Sequence, residues 1–156
     1  MKMRILAVLL VLASGLHCCA QTAGVDGEWQ GIKNTPERVV FTGAITLQSG
    51  ASCKTCAATG DGSIEGKIVW GLRSAGTNTA SGMASKVGRI GTEYVKGQMK
   101  GKGLLVLNGY KLDDPEHILV LDKYRLAVSD DGKVIGGLSF NNGHWTGQFI
   151  AIRPQK

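Results

Sequence analysis

Hydrophobic and polar residues alternate with a period of two along much of the chain. The alternation is clearest over four segments: 38–48, 64–73, 117–128 and 144–153. A period of two places successive side chains on opposite faces, which is typical of β-strands with one face on a core. Shorter segments of the same kind bring the set to eight predicted strands: 27–32, 92–99, 103–109 and 133–140.

The larger apolar side chains of the four clear segments share one face, which we predict to be the inner one. The residues assigned to it are Val39, Phe41, Ile45, Leu47, Ile64, Ile68, Trp70, Leu72, Ile118, Val120, Tyr124, Leu126, Val128, Trp145, Phe149 and Ala151. Charged residues such as Lys67, Arg73 and Lys123 fall on the opposite face. This division predicts an all-β domain with one apolar core.

Short turn sequences separate several of the predicted strands. Residues 129–132 read Ser-Asp-Asp-Gly and residues 141–143 read Asn-Asn-Gly, while Lys-Gly-Lys-Gly at 100–103 is a third tight turn. Asx-Gly pairs tolerate positive φ and are typical of hairpins. Residues 74–91 break the pattern and predict a long loop with one helical turn near 83–87. Long loops in compact domains are often functional.

Eight short strands linked by hairpins predict an antiparallel up-and-down barrel, with a β-sandwich as the alternative. The first strand contains Gly-Glu-Trp-Gln-Gly around Trp29, and the last contains Gly-His-Trp-Thr-Gly around Trp145. Two matching pieces at the chain ends indicate neighbouring strands at a seam. The barrel is favoured because closing that seam removes exposed strand edges.

The first twenty residues have the pattern of a secretory signal peptide. Lys2 and Arg4 precede the apolar run 5–12, and the small residues 18–20 precede the polar Gln21. A positive start, a short apolar stretch and a small-residue cleavage site together indicate secretion. The run is shorter than the roughly 17–25 apolar residues of a membrane span.

Cleavage after Ala20 leaves residues 21–156 as one domain, secreted to the extracellular space, or to the periplasm in a bacterium. A lipoprotein anchor on Cys18 or Cys19 is the alternative, but the preceding Leu16 and His17 are not the small residues that usually come before such an anchor.

The charge of the chain is mildly positive and dispersed. Removing Lys2 and Arg4 with the leader lowers the formal net charge from +6 to about +4. Long runs of like charge are absent from the sequence, so we expect no nucleic-acid partner. The segment after the leader holds no second apolar stretch long enough for a membrane span.

Two cysteines, Cys53 and Cys56, follow the leader. In an oxidising compartment a close pair most simply forms a local disulfide, and we predict that bond here. A redox pair is the alternative, but it requires a βαβ context that the pattern does not provide. A metal site is a third possibility, although the spacing of this pair from His117 and His144 is unlike that of structural zinc sites.

The two chain ends resemble the calycins, the group of lipocalins, fatty-acid-binding proteins and avidins. The resemblance rests on Gly27-Glu28-Trp29 in the first strand and on Arg153 at the end of the last. It implies that Trp29 packs beneath the barrel against the basic Arg153. Together with Trp145 at the seam, these residues are the predicted closure of the barrel.

A second resemblance covers about a quarter of the chain. The sequence from Gly109-Tyr110-Lys111 through Asp113-Asp114-Pro115 to Gly147-Gln148-Phe149 is similar to a β module of uncharacterised secreted or caspase-linked bacterial proteins. This resemblance implies a shared fold and carries no assigned chemistry.

One acidic cluster consists of Asp113, Asp114, Glu116 and Asp122. The first three are candidate ligands for calcium, which prefers carboxylate oxygens. The cluster lacks the alternating spacing and the glycine of a calcium loop, and Asp-Asp-Pro is first of all a turn. We therefore assign no metal and predict no cofactor.

The sequence favours a non-enzymatic role, because it contains no Gly-x-Ser-x-Gly elbow and no phosphate-binding loop. We assign no catalytic residue. The predicted role is a secreted binding module or an extracellular matrix component, of unknown ligand. A binding module would hold a small apolar ligand in a cavity lined by aromatic residues, and packing of the same residues in a filled core is the alternative. The aromatic candidates are Trp70, Tyr94, Tyr110, Tyr124, Phe140 and Phe149.

The matrix component would bind an acidic or mineral surface through its cations. Those cations are Lys33, Lys54, Lys67, Arg73, Lys86 and Arg89. An inhibitor of an extracellular enzyme could use the 53–56 loop or the 74–91 loop, and a hydrolase without a recognisable motif is a further alternative.

Overall fold

In the part of the chain that the structure describes, eight strands and one short helix follow the predicted order. A computed structural model describes residues 24–50, 63–77, 82–101, 103–141 and 146–155. The strands are β1 Gly27–Asn34, β2 Val40–Ser49, β3 Ser63–Ser74, β4 Ile90–Lys100, β5 Leu104–Asp113, β6 Lys123–Val128, β7 Val134–Phe140 and β8 Thr146–Ile152. A 3₁₀-helix, Met83–Lys86, lies between β3 and β4, at the place of the predicted helical turn.

Every strand pairs antiparallel with its neighbour in sequence, and β8 returns to pair with β1. In that closing pair, Gln30 lies opposite Ile152 and Asn34 lies opposite Gln148. The closed ring leaves no free strand edge among these eight strands, which removes the template for edge-to-edge association. The prediction of an up-and-down barrel is confirmed, and the β-sandwich is excluded.

Alternation along the strands fills the barrel with apolar side chains. Trp70, Leu72, Tyr124 and Leu126 are fully or almost fully buried, as their positions in the predicted strands require. On β8, Phe149 and Ala151 point inward while Ile150 is exposed. Among the described residues, no helix has the length and apolarity needed to cross a membrane.

The segment before β6 differs from its prediction. The strand begins at Lys123 rather than at 117, because Asp114 folds the preceding chain into a turn. The backbone N–H of His117 donates to the Asp114 carbonyl at 3.1 Å, and that of Leu119 donates to Asp114 Oδ2 at 2.6 Å. The alternation is therefore broken, and Val120, predicted to face inward, is 51% exposed.

The barrel has two different ends. The closed end holds the start of β1, the end of β4, the start of β5, the 129–133 turn and the end of β8. The open end holds the 35–39 turn, the loop with the 3₁₀-helix and the 114–122 segment. Several sequence predictions lie outside the described residues, namely the signal peptide 1–20, the Cys53–Cys56 disulfide, His144 and Trp145.

Candidate functional site: a pocket at the open end

A cavity of about 250 Å³ enters the barrel from its open end. Its walls are formed by β1, β2, β7 and β8 near the open end, together with the 3₁₀-helix and the 114–122 segment. The lining residues are Lys33, Thr35, Phe41, Met83, His117, Ile118, Leu119, Val120, Asp122, Ser139, Asn141 and Gly147. Apolar atoms form most of the pocket surface, while six of the twelve lining residues carry polar groups. A mainly apolar wall with a set of converging polar groups is usual for a small-molecule site.

An ion pair lies at the inner side of this pocket. Lys33 Nζ is 2.7 Å from Asp122 Oδ2, and each residue is only 5% exposed. The ammonium also lies 4.8 Å from the ring centroid of Phe41 and 5.0 Å from that of Trp70. Buried charges of this kind persist when they are paired and hydrogen-bonded, and the aromatic faces add cation–π attraction.

A second carboxyl group, Glu93, lies next to the pair and is fully buried. Its Oε2 accepts hydrogen bonds from the Tyr124 hydroxyl at 2.5 Å and from Trp70 Nε1 at 3.3 Å. Its Oε1 accepts from the backbone N–H of Asp122 at 2.8 Å. Glu93 therefore fixes the chain at Asp122, immediately before β6, and joins it to the aromatic core.

Burial changes the protonation behaviour of this network. Desolvation raises the pKa of Glu93 above its ordinary value, against the opposing effect of the Tyr124 hydrogen bond. Desolvation also raises the pKa of Tyr124 well above 10, and the neighbouring Glu93 and Asp122 carboxylates add to the shift. Tyr124 is therefore a neutral donor at physiological pH.

Ser139 adds a hydroxyl to the pocket wall. It is only 2% exposed, and no hydrogen bond joins its side chain to the residues that the structure describes. The opposite residue on β8 is Gly147, and a Cβ there would come within 2.9 Å of Ser139 Oγ. Because that residue is glycine, the Ser139 hydroxyl keeps space on its cavity side.

The predicted long loop forms part of the pocket roof. Met83 of the 3₁₀-helix is buried against the barrel. Lys86 Nζ donates to the His117 carbonyl at 3.1 Å, and Arg89 Nη1 lies 3.4 Å from Glu116 Oε1. These exposed contacts hold the loop against the 114–122 segment. Individually they are weak, since exposed ion pairs contribute about 0–1 kcal/mol.

The predicted acidic cluster is dispersed by the fold. Asp113 is exposed, Glu116 pairs with Arg89, Asp114 caps its own turn, and Asp122 points into the barrel. Among the described residues, no group of three His, Cys, Asp or Glu side chains lies close enough to hold a metal ion.

The structure brings together two of the residues assigned to barrel closure. Arg153 Cζ lies 4.2 Å from the ring centroid of Trp29 at the closed end. The guanidinium also donates to three backbone carbonyls, those of Gly132 at 2.7 Å, Asp26 at 2.7 Å and Gly24 at 2.5 Å. These contacts lie at the end of the barrel opposite the pocket.

The fold corrects several side-chain directions inferred from the sequence pattern. The pattern predicts that Tyr94 and Tyr110 line a cavity, but they pack against each other on the outer face with ring centroids 6.4 Å apart. Lys33, predicted to belong to a cationic surface, lies inside the barrel. Lys54 of the same surface lies outside the described residues.

No sequence motif joins the interior charges Lys33, Glu93 and Asp122, and the sequence pattern assigns Lys33 to a cationic surface and Asp122 to an acidic cluster. The signal is nevertheless present in the alternation itself. Two-residue steps from Trp29 reach Lys33, one step back from Val95 reaches Glu93, and one step back from Tyr124 reaches Asp122. A charge on the inner face of a strand is rare unless it is paired. The alternation could therefore have predicted that these three residues meet inside the barrel.

A larger depression of about 560 Å³ lies on the outer face of the barrel. Its rim includes the exposed side chains of Ile32, Ile90 and Ile150, and its charged residue, Arg73, donates to Thr42 Oγ1 at 2.8 Å. The inner pocket is the better candidate site because its polar groups are buried and converge on one place.

Comparison with known proteins supports the fold. No protein-family model and no curated protein matches the sequence. Among solved structures, the chain is similar to a redesigned β-barrel, mFAP0, bound to DFHBI. The TM-score is 0.56 at 14% sequence identity, over 83% of this chain and 98% of that chain. The likeness is one of architecture, that of a β-barrel.

Proposed function

We propose that this protein is a binding module that holds one small, largely apolar ligand in the open-end pocket. The observation that carries the proposal is the cavity of about 250 Å³ with the buried Lys33–Asp122 pair on its wall. At ~30 Å³ per water in the liquid, such a volume holds about eight waters, or a ligand of roughly ten non-hydrogen atoms. The architecturally similar barrel mFAP0 is bound to a small molecule, DFHBI, which supports this use of the fold.

The signal-peptide prediction extends this proposal to a secreted protein that meets its ligand outside the cell. The Cys53–Cys56 disulfide belongs to the same proposal. Both cysteines lie between β2 and β3, whose joined ends are at the closed end, away from the pocket. A disulfide between them would stiffen the segment that joins the two strands.

Native mass spectrometry tests the proposal on protein purified from its own source. A mass that is lost on denaturation indicates a retained ligand and identifies it by weight. The denatured chain should also start at Gln21 and weigh two hydrogens less than the reduced chain if the disulfide is present. A chain that carries no ligand, and binds none from a panel of small apolar compounds, contradicts the binding role.

A pocket-filling variant locates the site. Ser139→Leu places an isobutyl group in the cavity and is expected to weaken ligand binding at least about tenfold, an effect of about 1.4 kcal/mol. Ile150→Ser is the matched control, because Ile150 lies on the outer depression and is exposed. If Ile150→Ser loses ligand binding while Ser139→Leu retains it, the binding site is the depression on the outer face and not the open-end pocket.

A further inference from the structure

The charges on the pocket wall restrict the charge of the ligand group that can lie next to them. Lys33 and Asp122 both line the cavity, and they neutralise each other at 2.7 Å. Each is almost entirely removed from water. An additional charge brought into this region loses its hydration and finds no unmatched partner, which is costly in a poorly solvated site.

A carboxylate is disfavoured by the anionic groups already present. The Lys33 ammonium is balanced by Asp122, so a ligand carboxylate would compete with a residue that is already in place. Glu93 lies behind the pair and contributes a second carboxyl group to the same interior. A fatty acid or another small organic acid would therefore place two or three acidic groups around one lysine.

An ammonium group is disfavoured for the opposite reason. Lys33 itself lines the cavity, so a cationic ligand would meet a like charge. Asp122 is paired, and the oxygens of Glu93 accept from Tyr124, Trp70 and the Asp122 backbone. Among the residues described for the cavity wall, no carboxylate is left without a cationic partner.

A neutral polar group fits the remaining hydrogen-bonding capacity. The Lys33 ammonium has three N–H groups, of which the bond to Asp122 uses one. The Ser139 hydroxyl on the same cavity wall can donate or accept. Building on the proposed function, we infer that the ligand is uncharged and turns a carbonyl, amide or hydroxyl oxygen toward Lys33 and Ser139, with its apolar part against Phe41, Met83 and Ile118.

Three probes that share an alkyl chain test the inference. Octanamide, octanoate and octylammonium differ chiefly in head-group charge, and octanamide has about the ten non-hydrogen atoms that the cavity holds. Calorimetric titration of the folded domain at about pH 7 keeps the two ionic probes charged. We expect octanamide to bind at least about tenfold more tightly than either ion.

Each outcome separates the inference from the function on which it rests. Octanoate or octylammonium binding as tightly as octanamide overturns the inference while leaving the binding module intact. Failure of all three probes, together with a bare native mass, overturns both. Binding that survives Ser139→Leu unchanged also overturns the inference, because the head group would then lie elsewhere.

A charge variant reverses the expected preference. Asp122→Asn leaves the Lys33 ammonium without its carboxylate, so octanoate should now bind at least about tenfold more tightly than octanamide. A preference that stays with octanamide in the folded variant contradicts the inference. Removing one member of a buried pair is destabilising, so the double variant Lys33→Met with Asp122→Asn is the second test. It should bind octanamide about tenfold more weakly than the wild type while still excluding octanoate.

Discussion

Glu93 shows how one buried residue can organise both the core and the pocket. Its two oxygens receive three donors, from Tyr124, Trp70 and the backbone at Asp122. Removing an acceptor in such a place leaves buried donors unpaired, which costs about 1–3 kcal/mol for each donor. Glu93 thereby holds Asp122 where it meets Lys33, so the geometry of the pocket depends on a residue that does not line it.

Glu93 also makes the stability of the fold depend on pH. Because burial raises its pKa in the folded chain above the ordinary 4.5, the folded state keeps the proton longer than the unfolded state. The free energy of unfolding of the wild type should therefore fall, relative to Glu93→Gln, as the pH rises above about 4.5, by at most about 1.4 kcal/mol per pH unit.

Urea unfolding of the two chains from about pH 4 to about pH 8 measures this difference. Glu65→Gln on the same barrel is the control, since Glu65 is partly exposed on β3 and is not among the hydrogen-bond partners of Glu93. A difference between wild type and Glu93→Gln that is flat or rises with pH contradicts the assignment.

At the residue scale, the sequence predicts the apolar core better than the polar one. Phe41, Trp70 and Tyr124 follow the alternation of large apolar residues and point inward as expected. Lys33 and Glu93 obey the same alternation, but a lone charge on a strand is more often on the solvated face. The partner of Lys33 is Asp122, which lies far away in the chain, and only the closed barrel brings the two together.

Among the elements, the β4–β5 hairpin makes room for Glu93. The register shifts between Tyr94 and Val95, which pair with Lys111 and Gly109 respectively. Such a bulge bends a strand and redirects side chains. A Cβ on Gly109 would overlap Glu93 Oε1, so glycine at this position lets the carboxyl group reach the Asp122 backbone.

Gly109→Ala tests this part of the hairpin. The added methyl group should displace the Glu93 carboxyl and lower the free energy of unfolding by about 1–3 kcal/mol, as overpacking usually does. Gly136→Ala is the matched control, because a Cβ at Gly136 has only the Phe149 carbonyl oxygen within 4 Å, at 3.8 Å. Equal thermal stability of the two variants would show that the Glu93 contact contributes little.

The 114–122 segment shows where element prediction fails. Apolar residues at 118, 120, 124 and 126 continue one period-two pattern across the boundary. The Asp114 carboxylate interrupts it by accepting from the Leu119 N–H. A local side-chain cap of this kind competes with the strand ladder and is not visible in hydrophobic periodicity. The same departure supplies Ile118 and Leu119 to the pocket wall.

For the whole molecule, the Arg153 contacts and the pocket lie at opposite ends of the barrel. Arg153, just after β8, contacts Trp29 of β1 and the Gly24 and Asp26 carbonyls that precede it. It also donates to the Gly132 carbonyl in the turn between β6 and β7. Arg153→Ala should lower the free energy of unfolding by about 2–4 kcal/mol, since it removes charged hydrogen bonds and a cation–π contact. Because the pocket is at the other end, octanamide affinity of the folded variant should stay unchanged.

Chemical unfolding and titration of the same preparation check both parts of that prediction. Arg125→Ala is the control, because the exposed Arg125 contacts mainly the ring of Phe140, at 5.6 Å, and its loss should cost about 1 kcal/mol or less. Arg153→Ala that matches this control in stability, or that loses octanamide binding, would contradict the separation of the two ends.

The architecture is predictable because it depends on repeated local signals. Period-two segments, Asx-Gly turns and the matching sequences around Trp29 and Trp145 all indicate eight strands in a closed ring. The pocket is less predictable, because it depends on which inner side chains leave space. Gly147 opposite Ser139 provides such space, and a glycine in a strand carries no sign of what lies across from it.

The contact between Arg153 and Gly24 has a practical consequence for how the molecule can be displayed. The guanidinium holds the Gly24 carbonyl at 2.5 Å, so the two described termini of the barrel leave it side by side. A tether attached at either terminus therefore presents the open end outward from whatever surface carries it. The same proximity allows a short linker to join the termini. New termini could then be opened at the Asp130–Asp131 turn, which gives a circular permutant whose open end is unaltered.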